Sequence, residues 1–251
     1  MSEKEPLIKE PDRKFKGLRQ FNSPDGHRVS NRRDRMNPNW MHWFPTDSAV
    51  DRFARALCER CAVDMKEFSE SFEFFTRTRR KMRASIVTDL CCGHGLTGLL
   101  FAIFEREVEQ VHLVDQMCPL SFERIYDAAL DVAPWVKRKV QFHTMSINQY
   151  VPEQGSSILG IHACGSRTDR CIDLAIELET PVALMPCCHS SVSYGERPRA
   201  FDESLGIRLA IDVDRTYRLR NNGYDVDWKA IPKVVTPMNR IIIGKPLGAN
   251  G

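Results

Sequence analysis

The 251-residue chain has no apolar run approaching the ~18 residues that a membrane-spanning helix needs. Its longest near-continuous one, Leu96 to Phe104, is interrupted by Thr97 and Gly98. The opening MSEKEPLIKE lacks an apolar core and a small-residue cleavage site, so neither a secretory signal nor a membrane partner is expected. A disulfide framework is missing too: nine cysteines is an odd number, and the adjacent pairs Cys91–Cys92 and Cys187–Cys188 bridge poorly. A reducing, cytoplasmic compartment fits better. No internal repeat is visible. Hydrophobic residues at 42% and charged residues at 27% are ordinary globular values, which excludes collagen, coiled coil and wholesale disorder. A chain this long buries roughly 70–75% of its unfolded surface, so it needs no disulfide or metal staple.

The net charge, +3, is too small to argue for nucleic acid by itself, but it is unevenly placed. Residues 1–38 hold ten Lys/Arg against six Asp/Glu, an excess larger than that of the whole chain. With Pro6, Pro11, Pro24, Gly26 and Pro38 breaking long elements, this segment reads as a basic, partly disordered tail. A basic arm of this kind can neutralise nucleic-acid phosphates, RNA included, and otherwise reads as a solvated tail. Residues 39–84 read as a helical extension. NWMHWFP is aromatic, Asp47 or Ser48 can cap a helix starting near Ala49, and Val50, Phe53, Ala54, Leu57, Cys58 and Cys61 form an apolar stripe. A second helix over 64–82 ends in the basic run RTRRKMR.

From Ser85 the pattern alternates. SIVTDL, VEQVHLVD, KVQFHTM, SSILGIHAC, PVALMPCC, YDVDWKAI and NRIIIGKP read as strands, with helices predicted over 119–133, 168–178 and 204–222. Such alternation means an α/β doubly wound parallel sheet. PKVVTPM is too short for a crossover, so the last strand is reversed against the sixth. The expectation for 85–251 is a Rossmann-like seven-stranded doubly wound sheet with a reversed last strand. This layout resembles that of the class I methyltransferases.

DLCCGHGLTG follows the first strand and opens a helix, and its glycines let the backbone turn sharply beside a ligand. HLVD ends the second strand at Asp115, where a carboxylate can accept from both hydroxyls of a ribose. A third glycine in dinucleotide spacing is absent, and no Gly-Lys-Ser/Thr follows, which disfavours NAD and a P-loop. The turn resembles the S-adenosylmethionine motif. The resemblance implies Asp89 facing the methionine ammonium and Cys91, Gly93 and Gly95 forming the bend. Asp115 and Gln116 would take the ribose, and Ser146 and Ile147 would lie by the adenine.

Four segments in order, HACGSRTD, MPCCH, AIDVDRTYRLRNNGYDV and TPMNRIIIGKP, resemble one methyltransferase family over about 85–250. It includes the tRNA acceptor-stem 2′-O-methyltransferase and the methyltransferase-like region of the glutathione S-transferase C-terminal-domain-containing protein. The resemblance implies methyl transfer to RNA. His162 and His189, at adjacent strand ends, are the candidate bases, with His162 also near the cofactor, Asp169 as an orienter and Arg240 as an anion anchor. Cys164, Cys187 and Cys188 share that edge, so a thiolate attacking a pyrimidine is a second chemistry. Cys58-x-x-Cys61 with Cys187, Cys188 or His189 would make a zinc site, but the stripe favours a core role and no metal is expected. Two rivals stand. NWMHWF can instead cap the pocket of a small-molecule or protein methyltransferase. The missing acidic motif after the fourth strand also suits a non-catalytic cofactor-binding module.

Overall fold

The computed structural model describes residues 14–161, 163–187 and 197–248. Its helices are α1 (Pro24–Ser30), α2 (Ala49–Glu59), α3 (Met65–Met82), α4 (Leu96–Phe104), α5 (Leu120–Val132), α6 (Val136–Lys139), α7 (Ser166–Glu177), α8 (Arg199–Leu205) and α9 (Ile207–Asn221). Its strands are β1 (Ile86–Leu90), β2 (Gln110–Asp115), β3 (Val140–Thr144), β4 (Ser157–Ile161), β5 (Val182–Met185), β6 (Tyr224–Ala230) and β7 (Arg240–Pro246). They form one sheet in the order β3-β2-β1-β4-β5-β7-β6. The first five strands pair in parallel, and β7 runs antiparallel to both β5 and β6. The order reverses between β1 and β4, and the crevice at such a switch point is where open α/β sheets bind ligands. No described helix is long and apolar enough to cross a membrane.

The helices form where the pattern places them. Ser48 caps α2 by accepting from the Asp51 amide, and Phe53, Ala54, Leu57 and Cys58 turn inward. Asp64 caps α3 by accepting from the Glu67 amide at 2.7 Å, while Arg79, Arg80 and Lys81 fill its last turn, as the helix dipole favours. α4 is apolar all round because α3 and the sheet enclose it. β4 is buried at every residue, as expected of a central parallel strand covered on both faces. The predicted helix over 204–222 is two helices, broken at Gly206, whose φ of +74° is a backbone state that favours glycine.

The amino-terminal segment differs from expectation. From Lys14 onward it is built into the core rather than trailing as a tail. Phe15, Leu18, Phe21 and Met36 are almost fully buried, each contributing about 1.5–3 kcal/mol. Phe21 packs edge-on against Phe44, and Phe44 against Phe68 of α3. A buried carboxylate fixes the path. Glu73 of α3 accepts from the amides of Lys16, Gly17 and Leu18 at 2.8–3.1 Å and from the Arg77 guanidinium. A buried charge is tolerable because it is met by this many donors. The expected tail and extension thus share one apolar cluster with α3, α4 and α5.

Candidate active site

Two turns at the carboxyl ends of β1 and β2 make the crevice. After β1 the chain passes through left-handed conformations at Cys91 (φ +56°), Gly93 (φ +53°) and Gly95 (φ +72°). At Cys91, which has a side chain, this costs about 1–3 kcal/mol, the kind of strain that clusters at ligand clamps. The Asp115 carboxylate, at the end of β2, accepts from the Gly93 amide at 2.9 Å and so ties the two turns together. No atom lies within 4 Å of where a Cβ on Gly93 would stand, so that face of the bend is open. At Gly95 a Cβ would come within 2.7 Å of Leu113 Cδ1, so glycine there lets α4 pack on β2. Burial raises the Cys91 thiol to about 11 and pushes Cys92 up further.

Two hollows, of about 60 and 330 Å³, share Gln116, Ile147 and Arg167. The smaller adds Cys91, Val114 and Asp115, and the larger adds Ser146, Asn148 and the start of α7. Of the expected cofactor residues, Cys91, Asp115, Gln116, Ser146 and Ile147 therefore line one space beside the Gly93 bend. Asp89 is fully buried in β1, and its Oδ2 accepts from the Gly98 amide of α4 at 2.9 Å. His162 lies outside the described residues.

Sequence reasoning missed Arg167 and His94. Arg167 sits in the first turn of α7, where a cation opposes the helix dipole, and that misplaced charge was the available signal. His94, inside the bend, pairs through Nε2 with Glu67 Oε2 at 3.1 Å, so the start of α3 touches the turn after β1.

The acceptor edge is organised differently. Cys164 and Cys187, just beyond β4 and β5, have their sulfurs 2.7 Å apart. Asp169, the expected orienter, reaches α9, and the two histidines it would orient, His162 and His189, lie outside the described residues. Asp169 is buried, and both its oxygens accept from Arg215 of α9, at 2.9 and 3.2 Å. Arg215 lies 3.7 Å from buried Asp212, which Arg240 grips at 2.7–2.9 Å. Arg240, expected as an anion anchor, thus ends a buried ion chain, Asp169–Arg215–Asp212–Arg240, joining α7, α9 and β7. Charges this deep are held by partners because desolvation forbids leaving them alone. A hollow of about 650 Å³ beside Arg240 is lined by Leu205, Ile207, Leu209, Pro237 and Met238 together with Asp202 and Arg208. Cys188 and His189 lie outside the described residues. Cys58 is buried in α2 with its thiol raised to about 12, and among the described residues no three His, Cys, Asp or Glu are arranged to hold a metal.

The aromatic NWMHWF segment lines neither hollow of the crevice: Trp43 stacks edge-on with Phe21, and Phe44 is buried.

A family model described as "Methyltransferase domain" matches residues 62–195, which takes in α3 as well as the crevice strands. Among solved structures, the chain is similar to the methyltransferase domain of bacterial CtHen1-C at 17% identity, covering 72% of this chain and 98% of that one, with a TM-score of 0.49. It is also similar to a putative rRNA methylase from Clostridium thermocellum, at 11% identity over 70% and 94% of the two chains, TM-score 0.48. A third likeness is human N-acetylserotonin methyltransferase in complex with SAM, at 9% identity over 79% and 56%, TM-score 0.40. No curated protein matches.

Proposed function

The chain belongs to the methyltransferase domain family and is an S-adenosylmethionine-dependent methyltransferase, and on that footing we propose that its acceptor is RNA. The crevice fits the cofactor. The open face of Gly93 leaves room beside the bend, Asp115 and Gln116 offer acceptors to a ribose, and Ile147 gives an apolar wall to a purine. When bound, the cofactor supplies a methyl group on a sulfonium. The residues around it orient that methyl and the acceptor for in-line displacement, where positioning is the main contribution. At the acceptor edge we assign proton removal to His162 or His189, and the thiol alternative to Cys164 and Cys187.

The observation that carries the RNA reading is a hollow of about 800 Å³ lined by Lys16, Thr76, Arg77, Arg79, Arg80, Arg83 and Lys229. Six cations converge there, with no carboxylate among the lining residues. Glu73, Glu105, Glu107 and Asp227 pair with several of them from outside, leaving a cationic surplus. Arg80 is exposed, with no carboxylate partner among the described residues. Such a surface suits a sugar-phosphate backbone. We assign the chain to the subfamily of the tRNA acceptor-stem enzyme on the same footing, with residues 14–84 contributing substrate contacts.

The test is a transfer assay with labelled methyl donor on total RNA, beside RNA binding measured across salt. Label in RNA and a steep negative salt slope, made shallower in Arg80→Glu, support the reading. A flat slope, with label in a metabolite or protein fraction, overturns it. The 650 Å³ hollow, which sets Leu205, Ile207 and Met238 beside Asp202, Arg208 and Arg240, favours the second reading, a small acceptor, and the same assay identifies it.

A further inference from the structure

We propose that Cys164 and Cys187 form a reversible thiol–disulfide site that responds to peroxide and is coupled to the cofactor crevice. Their sulfurs stand 2.7 Å apart, closer than two unbonded sulfurs rest, and a covalent bond needs only about 2.05 Å. The placement follows from the sheet. β4 and β5 are parallel neighbours, with Ile161 paired to Met185, so the two cysteines leave the same edge side by side. Adjacent strands lie about 4.8 Å apart, within the Cα separation of about 4.4–6.8 Å that a disulfide spans. Both thiols are half-buried rather than sealed in.

Of the six other described cysteines, Cys61 directs its thiol to the Cys58 carbonyl and Cys118 is exposed, its thiol raised by desolvation. Cys58, Cys92 and Cys171 are buried with thiols raised by desolvation, and Cys91 is raised by the same cause. Cys91–Cys92 is an adjacent pair, which closes poorly. Cys164, by contrast, directly precedes Gly165, the cap of α7, where exposed amide dipoles favour negative charge.

The chemistry balances with a hydroperoxide as oxidant. One thiolate attacks a peroxide oxygen, the O–O bond breaks, and the departing oxygen leaves as hydroxide or alkoxide. The sulfenic acid formed is attacked by the second thiol, the S–S bond forms, the S–O bond breaks and water leaves. Two electrons pass from the dithiol to the peroxide, and both thiol protons end on the released oxygens. Coupling to the crevice follows from the chain. Arg167, in both hollows, lies one turn past Cys164 and donates its amide to the Cys164 carbonyl. Pulling Cys164 toward β5 therefore moves a wall of the cofactor space.

The test exposes the full chain to hydrogen peroxide, blocks residual thiols and maps peptides by mass spectrometry, with a Cys188→Ser variant to separate the neighbouring thiols. The expected result is a Cys164–Cys187 link, lighter by two hydrogens and reversed by dithiothreitol. Calorimetry on the same samples should show cofactor affinity lost on oxidation and regained on reduction. No link, a link to Cys91 or Cys188, or independent oxidation to sulfinic acids overturns the site. A link with unchanged cofactor affinity overturns the coupling. Because the wild-type map is decisive, the outcome does not depend on whether Cys164→Ser or Cys187→Ser folds.

Discussion

The two halves of the sheet use their charged residues in opposite ways. At the carboxyl ends of β1 and β2, Asp115 sits on the rim of an open space, holding a glycine amide and lining the hollow. Across the switch point, beside β4, β5 and β7, Asp169, Asp212 and Arg215 are buried and consume one another, with Arg240 closing the row. The difference teaches that an acid or a base at a strand end is not by itself a functional group. What decides is whether the opposite helix supplies a counter-charge. α9 supplies Arg215 and Asp212, whereas the turns before α4 and α5 bring mostly backbone amides to Asp115.

The sharpest way to break this contrast is Arg215→Met. Asp169 would remain buried without its guanidinium, while Asp212 keeps Arg240, so stability should fall by about 3–5 kcal/mol. Urea titration checks this, and an unchanged midpoint would mean the ion chain is not structural. On the other half, Asp115→Asn should reduce cofactor affinity about 10- to 100-fold, the scale of charge-assisted hydrogen bonds, while the fold persists. Calorimetry with S-adenosylmethionine measures it, and equal affinity would remove Asp115 from the site.

A smaller effect separates the two glycines. Gly93→Ala should cost about 1 kcal/mol of stability, from its positive φ, and weaken cofactor binding more than folding, because the new methyl enters open space. Gly95→Ala should do the reverse, since its methyl strikes Leu113. Matching thermal shifts without a binding difference would contradict this.

The smallest effect is a pH trend. His112 in β2 is held below its ordinary value by burial first and by His143, at 2.9 Å, second. A folded value below the unfolded one means the unfolded chain binds more protons, so stability is complete above about 6.5 and declines as pH falls below it. Melting temperatures between pH 8 and 5 should show that decline, flattened in His112→Gln.

Much of the sheet was legible because β-branched runs alternate with helical spacing, and the short PKVVTPM link forced the reversal at β7. Cys91, Asp115 and Gln116 could be picked out because they stand in two local turns, whereas Arg167 of α7, which lines the same hollows, could not. Pairings of long sequence separation were not. Asp169 and Arg215 lie 46 positions apart, and nothing local distinguishes that aspartate from a catalytic one. The segment KFKGLRQF hid its burial in the same way: Phe15, Leu18 and Phe21 stand singly among cations, with no face to read until Glu73 gathers the amides between them.

The length of α3 has one more consequence. Its eighteen residues make a rod about 27 Å long. Glu67, near one tip, touches His94 in the bend after β1, and Arg79 and Arg80, near the other, line the cationic hollow. One helix thus carries both the carboxylate that meets the bend after β1 and two of the cations of the hollow, so a substitution that kinks it disturbs both places together.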